Sequence, residues 1–386
     1  MTTQVSCHGC ESADLHEFEA YRELTRVTSD CKPWSAGGRL SICRTCGLIQ
    51  VPVSSTWLAE CDAIYRNYSV YHQSGGIEQA VFDPETGEPA CRSDRLVRSL
   101  RETLDLPEKG RLVDLGCGNG GFLKAIARAL PSWEFAGVDL SDATRDEVLA
   151  IRGVTDFYAM DARRIPGRYT GVSMIHVLEH VPDPGGVLSA MAEKIEDDGF
   201  LFVQVPAANE NPFDLLIADH CSHFTQDSLL ALVVRSGFAI ANSNPSWLPK
   251  ELSVVATSTI QHVQCAAPDP RAETDRVEQM LDWLHGVAAE ARADANHGPI
   301  GVFGTSIAAT WLTSAIGAEA VAFFVDEDPG RAAGRHLDRP VWTPPEVPAG
   351  ERVFVPVAPS VAGFIRRRLD GLPFQLIVPD GLHQLG

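Results

Sequence analysis

The sequence is poor in basic residues and has no long apolar run. Its 386 residues include 51 Asp and Glu against 32 Lys and Arg, a formal net charge of −19. A nucleic-acid-binding surface or a surface that binds anionic membranes normally shows clustered Lys and Arg, so neither partner is expected. No apolar stretch approaches the roughly 20 residues that span a bilayer. The N-terminus also lacks the basic-then-apolar layout of a secretory signal, and we expect a cytoplasmic protein.

The cysteines are concentrated at one end of the chain. Six of the ten fall within the first 61 residues, which indicates a separate N-terminal module. Hydrophobic residues make up 45% and charged residues 22%, as in globular proteins, and the length suggests two or three domains. A chain of this length buries enough surface to be stable without disulfides.

Two C-x-x-C pairs predict a metal site in this module. They are Cys7 with Cys10 and Cys43 with Cys46, and 32 residues separate them. Two such knuckles supply four thiolates in a tetrahedral shell, which suits structural Zn²⁺ and leaves no position open for water. A redox C-x-x-C or two unrelated thiol pairs are the alternatives. Cys31 and His8 are substitute ligands.

A tyrosine-rich run follows the module. Tyr65, Tyr68, Tyr71 and His72 precede two glycines, in a chain with six tyrosines. This composition favours a loop that folds over a ligand. The alternative is a surface linker whose tyrosines pack on the next domain.

The central region opens with a strand, a glycine turn and a helix. Residues 111–115 read RLVDL and predict a short strand, residues 116–121 read GCGNGG, and a helical pattern follows. Glycines in this position let the backbone approach a ligand and leave the helix N-terminus facing it. The run fits the dinucleotide pattern and also an acidic-x-G-x-G-x-G pattern formed by Asp114, Gly116, Gly118 and Gly120. Asp114 favours the second pattern, because its carboxylate can hold an amino-acid end of a cofactor.

The next strands add further candidate cofactor contacts. Asp139 ends the second strand, 23 residues after the first glycine, where a carboxylate can accept both ribose hydroxyls. Leu140 follows it. Asp161 and Ala162 follow the third strand, at the level of an adenine ring, and His176 follows the fourth. Seven strands alternating with helices predict a doubly wound α/β sheet.

The segments DLGCGNG, VDLSD and HVLEHVPDP, in this order and spacing, resemble a class I S-adenosylmethionine-dependent methyltransferase. The resemblance implies that Asp114, Gly116, Gly118, Gly120, Asp139, Leu140, Asp161, Ala162 and His176 bind this cofactor. His180 is read as a helix cap.

The segment after the fifth strand carries the candidate chemistry. It contains Asp219, His220 and His223, just before a helix that begins after Thr225 and ends at Gly237. Loops beyond the carboxyl ends of parallel strands form the ligand crevice, so these side chains are expected to face it. His220 suits a general base, with Asp219 orienting its ring. The alternatives are hydrogen bonds that hold the loop, or a metal bound by the two histidines.

The last third predicts a second, smaller Rossmann-like unit. A charged helix over residues 268–296 leads to a strand, a turn and a helix around Gly301 and Gly304. The missing third glycine argues against a bound dinucleotide. The predicted architecture is therefore α/β with three parts: a zinc-binding module over residues 1–75, a methyltransferase domain over 76–260 and a Rossmann-like domain over 261–386.

The three-part layout resembles the zinc-containing sugar C-methyltransferases, which act on nucleotide-linked 4-keto-deoxysugars in bacterial natural-product biosynthesis. The cysteine pairs, the Tyr68-Ser-x-Tyr71 run, DLGCGNG and the stretch VDEDPGRAAGRHLDRPVW carry the resemblance. It implies that His220 is the catalytic base, that Tyr71 belongs to the cofactor site, and that Zn²⁺ is structural. Asp219 stands at the family's Glu position, His223 at an aromatic position and Ile217 at a Tyr position.

The departure at Ile217 keeps other functions open. An O- or N-methyltransferase on the same scaffold is the main alternative, and a zinc-ribbon RNA-modifying protein or an inactive cofactor-binding protein are further ones. An anionic nucleotide sugar needs a local basic pocket in this acidic chain. Candidates are Arg331, Arg335, Arg339 and the arginines at 366–368, with solvated surface as the alternative.

Overall fold

The computed structural model describes residues 6–66, 80–82, 89–243, 247–258, 268–328, 330–332, 334–379 and 381. Tyr68, Tyr71 and His72, and the predicted domain boundaries near residues 75 and 260, lie outside these ranges. In the part of the chain that is described, no helix combines the length and the apolar character needed to cross a membrane.

The N-terminal segment consists of short strands and one helix. They are β1 (Leu15–Glu17), β2 (Arg26–Val27), β3 (Pro33–Trp34), β4 (Ser41–Cys43), β5 (Ile49–Gln50) and α1 (Ser55–Tyr65). The Ser54 hydroxyl caps α1 by accepting from the backbone N–H of Trp57. The turn between β4 and β5 carries Cys46, and Gly47 adopts φ +72 there, a conformation that glycine reaches without steric cost.

The central segment alternates strands and helices. In chain order these are β6 (Ala80–Phe82), β7 (Pro89–Cys91), α2 (Arg92–Thr103), β8 (Arg111–Leu115), α3 (Gly121–Ala129), β9 (Glu134–Asp139), α4 (Arg145–Leu149), β10 (Val154–Ala159), β11 (Tyr169–Ile175), α5 (Pro184–Lys194), β12 (Ile195–Pro206), β13 (Ser222–His223), α6 (Gln226–Arg235), β14 (Ala239–Ser243) and β15 (Glu251–Thr257). The capping box at Thr225 and Ser228 starts α6, and Gly237 follows its end at φ +96, as the sequence predicts.

Seven of these strands form the sheet that positions the site. Their order is β10-β9-β8-β11-β12-β15-β14, and the first five are parallel. The central strands are buried on both faces, which explains why their sequences are mostly apolar. The prediction of seven strands is confirmed. The sheet is mixed rather than wholly parallel, because β15 runs antiparallel to both β12 and β14. The order reverses at β8 and β11, which is where open α/β sheets bind ligands.

A strand of the central segment completes the N-terminal sheet. That sheet has the order β1-β4-β5-β13, and β13 pairs antiparallel with β5 through Ser222 and His223. The backbone N–H of Ala218 also donates to the carbonyl of Val27, at 2.8 Å. The segment with the predicted catalytic histidines is therefore fixed by the cysteine-containing module as well as by its own neighbours.

The C-terminal segment builds a six-stranded sheet beside a long helix. It comprises α7 (Pro270–Ala295), β16 (Ile300–Phe303), α8 (Ile307–Ile316), β17 (Val321–Val325), β18 (Arg335–His336), β19 (Arg339–Trp342), β20 (Arg352–Phe354), α9 (Pro359–Arg368) and β21 (Gln375–Ile377). The order is β18-β19-β17-β16-β20-β21, parallel except for β18. One apolar core joins this segment to the N-terminal one, with Tyr21 and Trp57 in the same cluster as Leu281 and Trp311.

Candidate active site

A cleft of about 490 Å³ lies where the three segments meet. Its floor is the carboxyl edge of the seven-stranded sheet, from β9 to β15. The loop of Ser29, Asp30 and Cys31 forms one wall. The first residues of α8 and the loop before α9 form another, around Ile307 and Val357. The site is therefore enclosed by parts of the chain that are far apart in sequence.

The glycine turn brings the backbone to the floor of this cleft. Gly116, Gly118 and Gly120 have φ of +63, +50 and +77, in the left-handed region. A Cβ at Gly116 would lie 2.3 Å from Val177 Cγ2, so any side chain there would force Val177 to move and would strain the backbone. The backbone N–H of Gly118 donates to Asp139 Oδ2 at 3.2 Å, which locks the turn to the end of β9.

Asp114 is buried at the end of β8 and lines the cleft. Its Oδ1 accepts a 2.7 Å hydrogen bond from the Ser173 hydroxyl on β11. Burial raises the pKa of Asp114 to about 7, although this hydrogen bond opposes the shift. A bound ammonium group would stabilise the carboxylate, so the residue fits the amino-acid end of S-adenosylmethionine.

Of the other residues predicted for the adenosine end, Asp139 lines the cleft, whereas Leu140, Asp161 and Ala162 are not among its lining residues. Leu140 is 82% exposed beside Asp139, an apolar surface that an adenine ring can cover. Asp161 begins the turn that contains Ala162, but its carboxylate is paired with Arg163 at 2.6 Å. That ion pair lowers the pKa of Asp161 to about 2. Tyr71 lies outside the described residues.

His176 belongs to a buried charge network at the end of β11. Its backbone has φ +53, and its Nε2 lies 2.9 Å from Glu251 and its Nδ1 3.2 Å from Glu179. Arg92 binds the other Glu251 oxygen at 2.9 Å. Burial and Arg92 oppose protonation, but the two carboxylates raise the pKa of His176 to about 9. The ring is therefore cationic near neutral pH and links α2, β11 and β15 at the cleft.

His220 lies in the cleft with a carboxylate on its far side. Its Nδ1 is 3.0 Å from Asp214 Oδ1, and the ring is 3% exposed. Burial opposes protonation, but the charge of Asp214 and its hydrogen bond outweigh this and raise the pKa of His220 above its usual value. The Nδ1–H donates to Asp214, which leaves the lone pair on Nε2. This arrangement is that of a general base with an orienting carboxylate.

His223 shares the same carboxylate. Its Nδ1 is 2.8 Å from Asp214 Oδ2, and its side chain is completely buried. The two imidazoles lower the pKa of Asp214 although burial opposes this. The expectation that His223 faces the crevice is wrong, because β13 pairs with β5 and turns the residue into the interior. A carboxylate that could join both histidines in binding a metal is nevertheless present in Asp214.

Asp219 does not orient His220, contrary to the expectation from their adjacency. Its carboxylate accepts from the backbone N–H of Ser29 at 2.8 Å and from the Ser29 hydroxyl at 2.5 Å. Residues 218 and 219 lie in a turn, and the two bonds to Ser29 hold the Asp219 carboxylate against the N-terminal segment. The carboxylate that serves His220 comes from Asp214 in the preceding 3₁₀ turn, Pro212–Leu216.

His180 belongs to the candidate site, although the sequence predicts that it caps a helix. Its ring meets that of His220 edge to face, with centroids 4.6 Å apart. Its Nδ1 lies 2.9 Å from the Asp219 carbonyl and 3.1 Å from the Tyr65 hydroxyl. Burial and the charge of His220 lower the pKa of His180. The sequence signal was the position of His180 after the fourth strand, at the carboxyl edge of the sheet.

The four cysteines of the two knuckles come together. Cys7 Sγ lies 3.5 Å from Cys46 Sγ, and Cys10 Sγ lies 3.5 Å from Cys43 Sγ. All four sulfur atoms lie within 4.8 Å of one another. A tetrahedral zinc site with Zn–S bonds of about 2.3 Å places its sulfurs about 3.8 Å apart, so the donor set and spacing fit this ion.

Comparison with known proteins indicates a methyltransferase domain in the central part of the chain. Residues 90–243 match the family model described as a methyltransferase domain. A ubiquinone biosynthesis O-methyltransferase of Bordetella avium is 30% identical over 117 residues, which cover 28% of this chain and 46% of that protein. The corresponding protein of Burkholderia vietnamiensis is 35% identical over 107 residues, 24% of this chain and 42% of its own length. The chain thus spans less than half of these curated relatives.

Among solved structures, the mitomycin 7-O-methyltransferase is similar to this chain with a TM-score of 0.38 at 19% identity, covering 43% of this chain and 52% of that one. The family match and the observed sheet support one conclusion about the central part of the chain. Residues 90–243 form an α/β methyltransferase domain of the class I, S-adenosylmethionine-dependent type.

Proposed function

We propose that the protein is a small-molecule C-methyltransferase that uses S-adenosylmethionine, with His220 as the general base. The observation that carries the proposal is the Asp214–His220 pair, which lines the same cleft as the glycine turn, Asp114 and Asp139. A carbon next to a ketone has no lone pair with which to attack a methyl group, so its methylation needs a base that forms the enolate, and a histidine held by a carboxylate suits this task. His176 and the glycine turn are proposed to bind the cofactor. Tyr71, which lies outside the described residues, is proposed to bind it as well.

The proposed reaction places a carbon next to a ketone between His220 and the cofactor. His220 Nε2 takes the α-proton, and the electrons of the C–H bond form an enolate. Asp214 accepts the Nδ1–H bond throughout and stabilises the imidazolium that results. The enolate carbon would form a new C–C bond to the electrophilic methyl group that a bound cofactor supplies, and the electrons of the broken C–S bond would stay on sulfur. His180 packs on the His220 ring, and its lowered pKa keeps it neutral, so the two rings do not compete for the proton.

The favoured acceptor is a nucleotide-linked keto-deoxysugar in a natural-product pathway. The resemblance of the sequence to the sugar C-methyltransferases supports it, as does a cleft enclosed by all three segments. Zn²⁺ is proposed to be structural, with Cys7, Cys10, Cys43 and Cys46 as ligands. The division of the chain at residues 75 and 260 remains a prediction.

O- or N-methylation of another small molecule is the second candidate. The curated relatives are named as O-methyltransferases, and Ile217 lines the cleft where the sugar C-methyltransferases have a tyrosine. Ile217 is 7% exposed and offers no hydrogen bond to a substrate. An acceptor that carries its own acidic hydroxyl depends less on a hydrogen bond from residue 217.

An acceptor screen with two readouts tests the proposal. The purified chain is incubated with keto-sugar nucleotides and simple pathway ketones, and methyl uptake is followed by mass spectrometry. In D₂O with S-adenosylhomocysteine, a C-methyltransferase exchanges the α-proton of its acceptor and His220→Asn abolishes the exchange. Methyl uptake on oxygen or nitrogen without α-exchange would establish the second candidate. His16→Asn, on the surface strand β1, serves as the matched control.

A further inference from the structure

Lys250 occupies an unusual position at the edge of the cleft. It immediately precedes β15 and lines the cavity together with His220 and Asp114. Its φ is +64, in the left-handed region that residues with a Cβ rarely adopt. Its backbone is held at both ends, because its N–H donates to Glu210 Oε2 at 3.2 Å and its carbonyl accepts from Ala207 at 2.9 Å. The surrounding structure therefore imposes a strained conformation on a charged residue.

The other cationic groups of the cleft are already neutralised. Arg92 binds Glu251 at 2.9 Å, His176 lies between Glu251 and Glu179, and His220 contacts Asp214. Within the described part of the chain, Lys250 forms no ion pair and its Nζ forms no hydrogen bond. Burial lowers the pKa of Lys250, and the more distant carboxylates of Glu251 and Glu210 only oppose this shift. The ammonium group thus lies in a partly dehydrated cleft without a counter-ion.

The position of Lys250 assigns it to the acceptor side. The cofactor residues Asp114 and Asp139 end β8 and β9, whereas Lys250 precedes β15. In the sheet order, β11 and β12 lie between β8 and β15, so the two sites are three strand spacings apart, about 14 Å. His220 follows β12, the strand next to β15. Lys250 therefore lies on the side of the general base, away from the adenosine end.

We propose that Lys250 binds an anionic oxygen of the methyl acceptor and so selects acceptors that carry a carboxylate or a phosphate. The inference rests on the proposed function, because it assumes that an acceptor occupies this side of the cleft. A charge-assisted contact inside the cleft replaces the missing counter-ion. The strained backbone is explained as the cost of directing the ammonium group into the cavity.

Selective ¹³C labelling of the lysine Cε atoms tests the proposal without a known acceptor. The chain has only five lysines, so the Lys250 signal is identified by its loss in Lys250→Met. The full-length protein, saturated with S-adenosylhomocysteine, is titrated with acetate in one arm and inorganic phosphate or pyrophosphate in the other. The exposed Lys109 provides the matched control, Lys109→Met. We expect the Lys250 signal to shift on titration, and Lys250→Met to weaken anion binding at least about tenfold.

A response to acetate indicates an acceptor that carries a carboxylate, and a response to phosphate or pyrophosphate indicates an acceptor that carries a phosphate. Equal anion affinities of the wild type and Lys250→Met, or the absence of anion binding to the wild type, would overturn the proposal. A loss of S-adenosylhomocysteine affinity in Lys250→Met would also overturn it, because Lys250 would then belong to the cofactor site. If the wild type does not bind S-adenosylhomocysteine, the proposed function fails, and the anion titration of the ligand-free chain still decides the role of Lys250.

Discussion

Asp214→Asn is the substitution that most directly tests the catalytic assignment. The carboxylate of Asp214 accepts one hydrogen bond from His220 Nδ1 and one from His223 Nδ1. An amide of the same shape offers one acceptor oxygen and one NH₂ donor. One imidazole must therefore move its proton from Nδ1 to Nε2, or lose its hydrogen bond. If His220 changes tautomer, its Nε2 carries a proton and cannot accept another from the substrate.

The expected losses follow from the two hydrogen bonds. One hydrogen bond to a charged group contributes about 1.5–3 kcal/mol, so we expect the free energy of unfolding to fall by about that amount. General base catalysis contributes on the order of 10²–10⁴-fold, so methyl transfer should fall within that range. The affinity for S-adenosylhomocysteine should stay within about twofold, because Asp214 lies on the acceptor side of the cleft.

Transfer of a labelled methyl group, calorimetry with S-adenosylhomocysteine and ¹⁵N-histidine NMR measure the three effects. The NMR spectrum reports the tautomer of His220 directly. His223→Phe is the companion variant, since it removes the second imidazole and leaves Asp214 to His220 alone. Activity of Asp214→Asn near that of the wild type, with an intact fold, would refute the assignment of His220 as the base.

Three further predictions concern pH, the cofactor and the metal. His220 must be neutral to accept a proton, and its pKa is raised. The rate of methyl transfer should therefore fall on acidification with a midpoint above pH 6.5; a midpoint at lower pH would exclude His220 as the base. Asp139→Ala should weaken S-adenosylhomocysteine binding about 100-fold in calorimetry, through loss of hydrogen bonds to a charged group, while the exposed Asp105→Ala leaves it unchanged. Chelation of the metal should lower both the melting temperature and activity, and Zn²⁺ should restore them; a chelator-resistant protein with no bound zinc would contradict the Cys assignment.

The parts that were predictable from sequence depend on local patterns. β8 and β9 have the predicted bounds, because a short, mostly apolar run next to a turn defines a buried strand over a short distance. The N-cap of α6 at Thr225 is set by side-chain chemistry over four residues. The order of strands and the glycine turn therefore predicted the side of the cleft where Asp114, the glycine turn and Asp139 lie.

The acceptor side depends on contacts that no local pattern records. Asp214 precedes His220 by six residues, a spacing that does not bring two side chains into contact in a regular helix or strand. The 3₁₀ turn that contains Asp214 creates the contact. Asp219 is adjacent to His220 but is bound by Ser29, 190 residues earlier. His180 and Lys250 reach the cleft from two other loops. Tertiary packing, and not residue type, decided which carboxylate contacts His220.

The pairing of β13 with β5 has a consequence for how the chain folds. The N-terminal module is synthesised first, but its sheet gains its last strand only when residues 222 and 223 emerge, more than 170 residues later. Contacts between such distant residues close long loops and form slowly. During synthesis the cysteine-containing sheet thus exposes an unpaired edge at β5, where a chaperone or another nascent chain can bind. The strand that closes this edge carries His223, which shares Asp214 with His220, so the last step of assembling the module also fixes this pair of histidines.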